Sequence, residues 1–300
     1  NMVIVPIDKA LPDVEMQRLI ERSEAKAIIF DEKYLETIKK VQEKENSNLK
    51  TLICMDNIQE KGIKTFNEIL EEGRNQIKNG DQKYDNIEID ENKMSIMLFT
   101  SGTTNEPKAV MLSQANICAN ISNIACWVKL YPTDVLLSFL PIHHTFECTI
   151  TFLYGFYSGS QVAFCDGLKH IQQNLKEYKV SVFVAVPLVL ETMYKKIQKA
   201  IEEQGKTGLI NKMTKISNTL LKAKIDIRKI VFKQILDNFG GNLRVVLYGA
   251  APMNKATIIG YNNLGISLVQ GYGLTETSPV VTAETDKEKR PGSIGLALAN

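Results

Sequence analysis

The stretch FTSGTTNEPKAVMLS, Phe99 to Ser113, sets a hydroxyl-rich loop between two apolar segments. From Thr100 to Lys108 it carries four hydroxyl side chains, one Gly, one Asn, one Pro and the lysine. MSIMLF leads in and AVMLS leads out, so the expected order is strand, loop, strand. A helix follows, which Ser113 can cap and which should run to about Leu130. Small hydroxylated residues present backbone N–H and O–H donors, and a nearby lysine adds a full positive charge. That combination suits a polyphosphate. The same residues also favour ordinary turns. The common nucleotide loop G-x-x-x-x-G-K-[ST] is absent, as is G-x-G-x-x-G after a strand.

Outward from this loop, short apolar runs alternate with helical patterns. MVIVPI, KAIIF and TLICM read as strands near the start, with helices over PDVEMQRLIERS and DEKYLETIKKVQEK. VLLSFL, QVAFC, VSVFVAV, LRVVLYG and ISLVQGYG read as strands later on. Continuously apolar strands separated by helices predict an α/β fold with a largely parallel sheet. Residues 71–92 are polar and read as a connector, which divides the chain into 1–92 and 93–300.

The 300 residues are enough for a sizeable core, in one large domain or two subdomains. A net charge of +2 offers no strong field for nucleic acid. The five cysteines, Cys54, Cys118, Cys126, Cys148 and Cys165, form no Cys-x-x-Cys pair. They read as reduced, mostly buried thiols of a cytoplasmic protein. The opening NMVIVPIDKALP lacks a basic start and a cleavage site, and the ending GSIGLALAN has no closing element. Both ends read as belonging to a longer protein. No apolar run is long enough to span a membrane.

Three further motifs carry chemistry. LPIHHTFE, Leu140 to Glu147, places adjacent histidines after a strand end in a chain that has only three. A neutral or cationic imidazole there can orient a carboxylate. YGAAP, Tyr248 to Pro252, offers small residues after a strand, where backbone can approach a flat ligand. QGYGLTET, Gln270 to Thr277, combines an aromatic face, a hydroxyl and a hard oxygen anion, suited to a base, a phosphate and magnesium. Each also has a plain structural reading as a packed histidine, a strand-to-helix turn or a glycine-rich turn.

Taken in order, these motifs resemble the signatures of the adenylate-forming (AMP-binding) superfamily, and most of all its long-chain fatty acid–CoA ligases. The first motif resembles TSGTTGxPKG, with Asn105 and Ala109 standing where glycines are usual. Asn tolerates positive φ, so Asn105 is expected to be left-handed, with Glu106 extended before Pro107. The resemblance implies multi-layer sheets flanked by helices, as in the large N-terminal domain of that fold. Residues 1–92 would form a partial first subdomain. Residues 93–300 would hold the phosphate loop, acyl pocket and nucleotide motifs. It implies an ATP site of Thr100, Ser101, Gly102, Thr103, Thr104, Lys108, Gly249, Ala250, Ala251, Gly271, Tyr272, Gly273 and Thr275. Tyr272 would stack on adenine, Thr275 would bond the α-phosphate, and Glu276 with Thr100 would hold Mg²⁺. Lys108, His144, Thr275 and Glu276 would be catalytic. His144, Phe146, Gly249 and Ala250 would line the acyl pocket, with His143 packing beside it.

The implied reaction joins a medium- or long-chain fatty acid to AMP with release of pyrophosphate, then transfers the acyl group to CoA. Alternatives are transfer to a carrier protein or an amine, or a non-catalytic nucleotide-binding protein. The ribose-binding Asp and the mobile C-terminal lid domain of the family are not within these residues, so the chain alone is expected to be inactive. Between VFVAV and YGAAP lies an insertion with Leu209, Met213, Ile216, Leu220, Ile227 and Val231 at helical spacing. Lys206 to Lys233 holds eight basic residues and one acidic. That surface reads either as a solvated face or as one in peripheral contact with anionic lipid.

Overall fold

The computed structural model describes residues 2–100, 106–285 and 289–299. Two compact units divide the chain, Asn1–Gln114 and Ala115–Asn300. The division falls after residue 114, not 92. The reason is local: Ile4 bridges Ile96, with the Ile4 N–H donating to Ser95 at 2.9 Å and the Met97 N–H donating to Ile4 at 2.9 Å. The expected MVIVPI strand is reduced to this bridge.

The first unit contains α1 (Asp13–Arg22), β1 (Ala27–Phe30), α2 (Leu35–Gln42), β2 (Thr51–Cys54), β3 (Ile63–Thr65), α3 (Phe66–Lys78), β4 (Met94–Thr100) and β5 (Lys108–Ser113). β1, β2 and β3 form a parallel three-stranded sheet, and β4 pairs antiparallel with β5. Met16, Ile20, Ile38 and Val41 of α1 and α2 pack with Phe30, Leu52 and Cys54 of the sheet. α3 occupies part of the stretch read as a connector. Thr65 and Glu68 form a capping box that starts it, yet it buries no residue. Phe66, Ile69, Leu70 and Ile77 keep helical spacing, but from Glu71 on only Ile77 is apolar, so the second half of the helix reads as polar.

The second unit opens with α4 (Gln114–Trp127), then β6 (Val135–Ser138), a π-helix at Glu147–Leu153, α5 (Tyr154–Tyr157), β7 (Gln161–Phe164), α6 (Ile171–Glu177) and β8 (Val182–Ala185). It continues through α7 (Pro187–Glu203), α8 (Thr207–Lys222), α9 (Arg228–Val231), α10 (Lys233–Leu236), β9 (Val245–Tyr248), α11 (Lys255–Leu264), β10 (Ser267–Gly273), β11 (Val280–Ala283) and β12 (Leu296–Ala297). The seven strands order as β12-β11-β10-β9-β8-β6-β7. From β10 to β7 every pairing is parallel, while β11 and β12 are antiparallel. All four residues of β8 and of β9 are buried, as expected for central strands covered on both faces.

One face of the sheet, with Leu137, Phe183, Val246 and Leu268, packs against Leu175 of α6, Leu190 of α7 and Ile258 and Tyr261 of α11. Toward the other face, Leu247 and Val269 border a small apolar cavity with Ile124 and Trp127 of α4 and Ile150 of the π-helix. The thiols differ from expectation. Only Cys54 is buried, while Cys118 and Cys126 are exposed. Both lie on the α4 surface away from Ile117, Ile121 and Ile124, which form its buried stripe.

Candidate active site

Each unit holds part of the sequence-predicted site. In the first, Thr100 and Lys108 face each other across the β4–β5 hairpin as paired residues at the two ends of the hydroxyl-rich loop. Ser101, Gly102, Thr103, Thr104 and Asn105 lie outside the described residues. Glu106 accepts hydrogen bonds from Arg18 and, at 2.7 Å, from Arg22, both on α1. The pair is exposed, so its energetic weight is small, but it anchors the entry to β5.

In the second unit, a cavity of about 400 Å³ opens at the carboxyl ends of β6, β8, β9 and β10. Its walls come from four segments. Residues 140–141 and 144–147 follow β6, and Val186 follows β8. Gly249 and Ala250 follow β9, and residues 271–275 with Pro279 and Val280 close the far side. His144, Phe146, Gly249, Ala250, Gly271, Tyr272, Gly273 and Thr275 are therefore brought together. Ala251 is not among the lining residues. Glu276 lines a neighbouring cavity with Asn116, Asn120 and Asn123 of α4.

Close backbone approach explains the glycines. A Cβ on Gly249 would sit 2.9 Å from the Gly271 carbonyl oxygen, and one on Gly273 would sit 1.7 Å from that of Pro279. Beyond Gly273 the chain folds back on itself. The Leu274 N–H donates to Pro279 at 3.0 Å, and the Thr277 hydroxyl donates to Leu274 at 2.9 Å. Asn120 pins this turn from α4, donating to the carbonyls of Thr277 at 3.2 Å and Val280 at 2.8 Å. Sequence reasoning missed Asn120. Its partners lie about 160 residues away, and only its place on the buried stripe of α4 marks it.

His144 is exposed at the cavity, with its ring centroid 4.4 Å from that of His143. Tyr272 is 46% exposed, leaving its ring free to stack. Beneath the site, the Tyr248 hydroxyl donates to Gln270 at 2.9 Å, and the Gln270 N–H donates to buried Glu284 at 3.1 Å. Burial, together with the Glu284 charge, pushes the Tyr248 phenol well up, so it remains a donor.

Glu147 was read only as the end of a motif, yet it is fully buried. Thr151 donates to its Oε2 at 2.9 Å, while Oε1 has no hydrogen-bond partner among the described residues. Burial raises its carboxyl to about 7, against the opposing effects of the Ser138 and Thr151 hydroxyls and the Phe139 backbone.

Ala250 adopts φ +69°, a left-handed conformation that costs a Cβ-bearing residue about 1 kcal/mol. Ala250→Gly is expected to raise stability by about 0.5–1 kcal/mol, measured by urea denaturation. A neutral or negative change would show that the strain is absent.

The sequence model described as AMP-binding enzyme matches residues 1–300, and the chain belongs to that family. Among similar proteins, long-chain-fatty-acid–CoA ligase 6 of Mus musculus is 28% identical over 322 residues, covering 99% of this chain and 45% of that protein. Long chain acyl-CoA synthetase 4 of Arabidopsis thaliana is 27% identical, covering 100% of this chain and 48% of that protein. The chain thus spans about half the length of the relatives it matches. The N-terminal domain of FACL13 from Mycobacterium tuberculosis superposes with a TM-score of 0.69 at 18% identity, covering 99% of this chain and 63% of that one. An anthranilate CoA ligase, AuaEII, solved with anthranoyl-AMP, gives a TM-score of 0.70 at 16% identity, covering 99% and 50%. The fold is that of the N-terminal domain of adenylate-forming enzymes.

Proposed function

We propose that the protein to which this chain belongs activates a medium- or long-chain fatty acid with ATP, forming acyl-AMP and pyrophosphate, and then passes the acyl group to CoA. The observation that carries this reading is the cavity at the strand ends. Its walls are mostly apolar, and Phe146 also borders the small apolar cavity beneath α4. An acyl chain entering past Gly249 and Ala250 would meet carbon, while Tyr272 and Thr275 offer a ring face and a hydroxyl to the nucleotide. The relatives that match along the whole chain are named as long-chain acyl-CoA ligases.

Both reactants are anions, so charge neutralisation and in-line positioning carry the catalysis. In this reading His144 orients the attacking carboxylate, which is already ionised near pH 7 and needs no general base. Thr275 donates to the α-phosphate, and Lys108 neutralises the departing β- and γ-phosphates. A magnesium carried by the nucleotide would be held by the hard oxygens of Glu276 and Thr100. When bound, Mg²⁺ would offset the charge developing on the phosphates. The free thiols suit the cytoplasm, where we place the reaction.

The test uses the full-length protein with ATP, CoA and acids of two to eighteen carbons, following pyrophosphate and thioester. Each buried CH₂ contributes about 0.8 kcal/mol, so kcat/KM should rise roughly fourfold per carbon and then level off. Ala250→Trp should cut long acids at least tenfold more than acetate. A preference for acetate or free amino acids, or equal loss on all acids, would overturn the fatty-acid reading. Pyrophosphate release without a CoA thioester would overturn the acceptor.

A further inference from the structure

The inserted helix α8 turns an unexpected face to solvent. Its inner side mixes polar and apolar groups: Ser217 is fully buried, Ile210, Met213 and Leu220 are half-buried, and Asn218 donates to Asn263 of α11 at 2.9 Å. Just beyond it, Arg228 donates to the Asn262 carbonyl at 2.7 Å. These bonds hold the insertion firmly on α11. The outer side of α8 carries two aliphatic residues, Leu209 and Ile216, and the segment that follows the helix exposes Ile225 and Ile230. Leu209 is 54% exposed, Ile216 47%, Ile225 53% and Ile230 78%. Of the regularly spaced apolar residues, Met213 and Leu220 are half-buried while Leu209 and Ile216 stay exposed.

Lysines surround these side chains. Leu209, Lys212 and Ile216 follow one line of α8 at i, i+3 and i+7, and Lys215 and Lys222, seven residues apart, run beside it. Lys212, Lys215, Lys222, Lys224 and Lys229 are all exposed. Among the described residues Lys212, Lys215, Lys222 and Lys224 have no acidic partner. The single acid between Lys206 and Lys233 is Asp226, and Arg228 occupies both its oxygens, at 2.9 and 2.7 Å. A solvated helix usually intersperses both signs. This one shows a single sign interleaved with large aliphatic side chains.

We propose that the outer face of α8 and the segment through Ile230 dock the protein onto an anionic lipid bilayer. A bilayer surface offers what this face lacks: a continuous sheet of negative charge above an apolar boundary. Leu209, Ile216, Ile225 and Ile230 enter that boundary while the lysine stems lie along it and their ammonium groups reach the headgroups. Among the described residues no helix is long and apolar enough to cross a membrane, so the contact is made at the surface. The face also lies away from the candidate active site. The anchoring bonds sit at the C-terminal end of α11, which leads into the start of β10, whereas the cavity lies at the strands' carboxyl ends. Docking therefore leaves the cavity mouth uncovered, and the proposal does not depend on which acid is activated.

The test is flotation of the full-length protein with vesicles of phosphatidylcholine, alone or with 30 mol % phosphatidylglycerol. Binding is expected on the anionic vesicles only and should weaken steeply between 50 and 500 mM salt. Each neutralised lysine should cost about fivefold, so Lys212→Gln/Lys215→Gln/Lys222→Gln should bind roughly a hundredfold more weakly. Leu209→Ser/Ile216→Ser should also bind more weakly, and both variants should keep the parent melting temperature and activity on detergent-dispersed acid. No binding to anionic vesicles, equal binding to neutral ones, or variants that bind like the parent would overturn the proposal. So would a concentration-dependent dimer, abolished by Leu209→Ser/Ile216→Ser, in a protein that does not float; the face would then belong to a second copy.

Discussion

Arg244→Ala is expected to destabilise the second unit by about 3–5 kcal/mol, because it strands a buried carboxylate. Asp134 is 4% exposed and sits at the entry to β6. Arg244 donates to it from Nε at 2.8 Å and from Nη2 at 2.5 Å, Ser181 donates at 2.7 Å, and the Tyr131 N–H donates at 2.8 Å. Ser181 precedes β8 and Arg244 precedes β9, so one carboxylate ties together the starts of three adjacent parallel strands. Burial raises the Asp134 carboxyl, but the bonds from Arg244, Ser181 and Tyr131 outweigh it and hold it below the usual range. A depressed folded value means that the stabilisation is present above the unfolded pKa and is lost as pH falls through the folded one. Parent and variant should therefore differ most near neutral pH and converge in strong acid. Arg244→Lys should recover only part of the loss, since an ammonium cannot reproduce the two-pronged contact. Asp134→Ala/Arg244→Ala should lose less than the two single changes summed. Urea titrations of the four proteins check this, and additive losses would show that the pair does not act as a unit.

The second large effect concerns Glu147. Its carboxyl moves from an ordinary 4.5 to about 7, chiefly through burial, with the Ser138 and Thr151 hydroxyls and the Phe139 backbone opposing. Between those two values the folded state holds a proton that the unfolded chain has released. Stability from this group is therefore greatest below the unfolded value, falls as pH rises toward 7, and stays low above it. The total amounts to about 3 kcal/mol at one pKa unit per 1.36 kcal/mol. Glu147→Gln keeps the shape and removes the charge. The variant should match or fall slightly below the parent near pH 4.5, and exceed it by about 3 kcal/mol at pH 8. Chemical denaturation of both proteins at these pH values isolates the group, because all other titrations are shared. Parallel pH profiles would mean that Glu147 is ionised in the folded protein, with a partner for Oε1.

The central sheet was legible because its strands carry their burial in their composition. VFVA and VVLY are apolar at every position, and only strands covered on both faces tolerate that. The site motifs were legible for a related reason. They follow those strands directly, so His144, Gly249, Ala250, Tyr272 and Thr275 reach one end of the sheet once the strands run parallel. Local pattern failed where the outcome depended on what lay opposite. The second half of α3 looked like a connector because only Ile77 is apolar after Leu70, and α8 looked like a core helix although Ser217 points inward and Leu209 and Ile216 point out. Asn120 became a site residue only through carbonyls about 160 positions away, and Glu147 acquired its pKa near 7 only through closure around its carboxyl. Periodicity is written within a dozen residues, and the sequence alone therefore decided that segments such as VFVA and VVLY are buried strands and in what order the motifs fall. Which face is buried, which polar atom is left without a partner and which backbone is strained depend on desolvation by distant segments, and only the tertiary structure decided those.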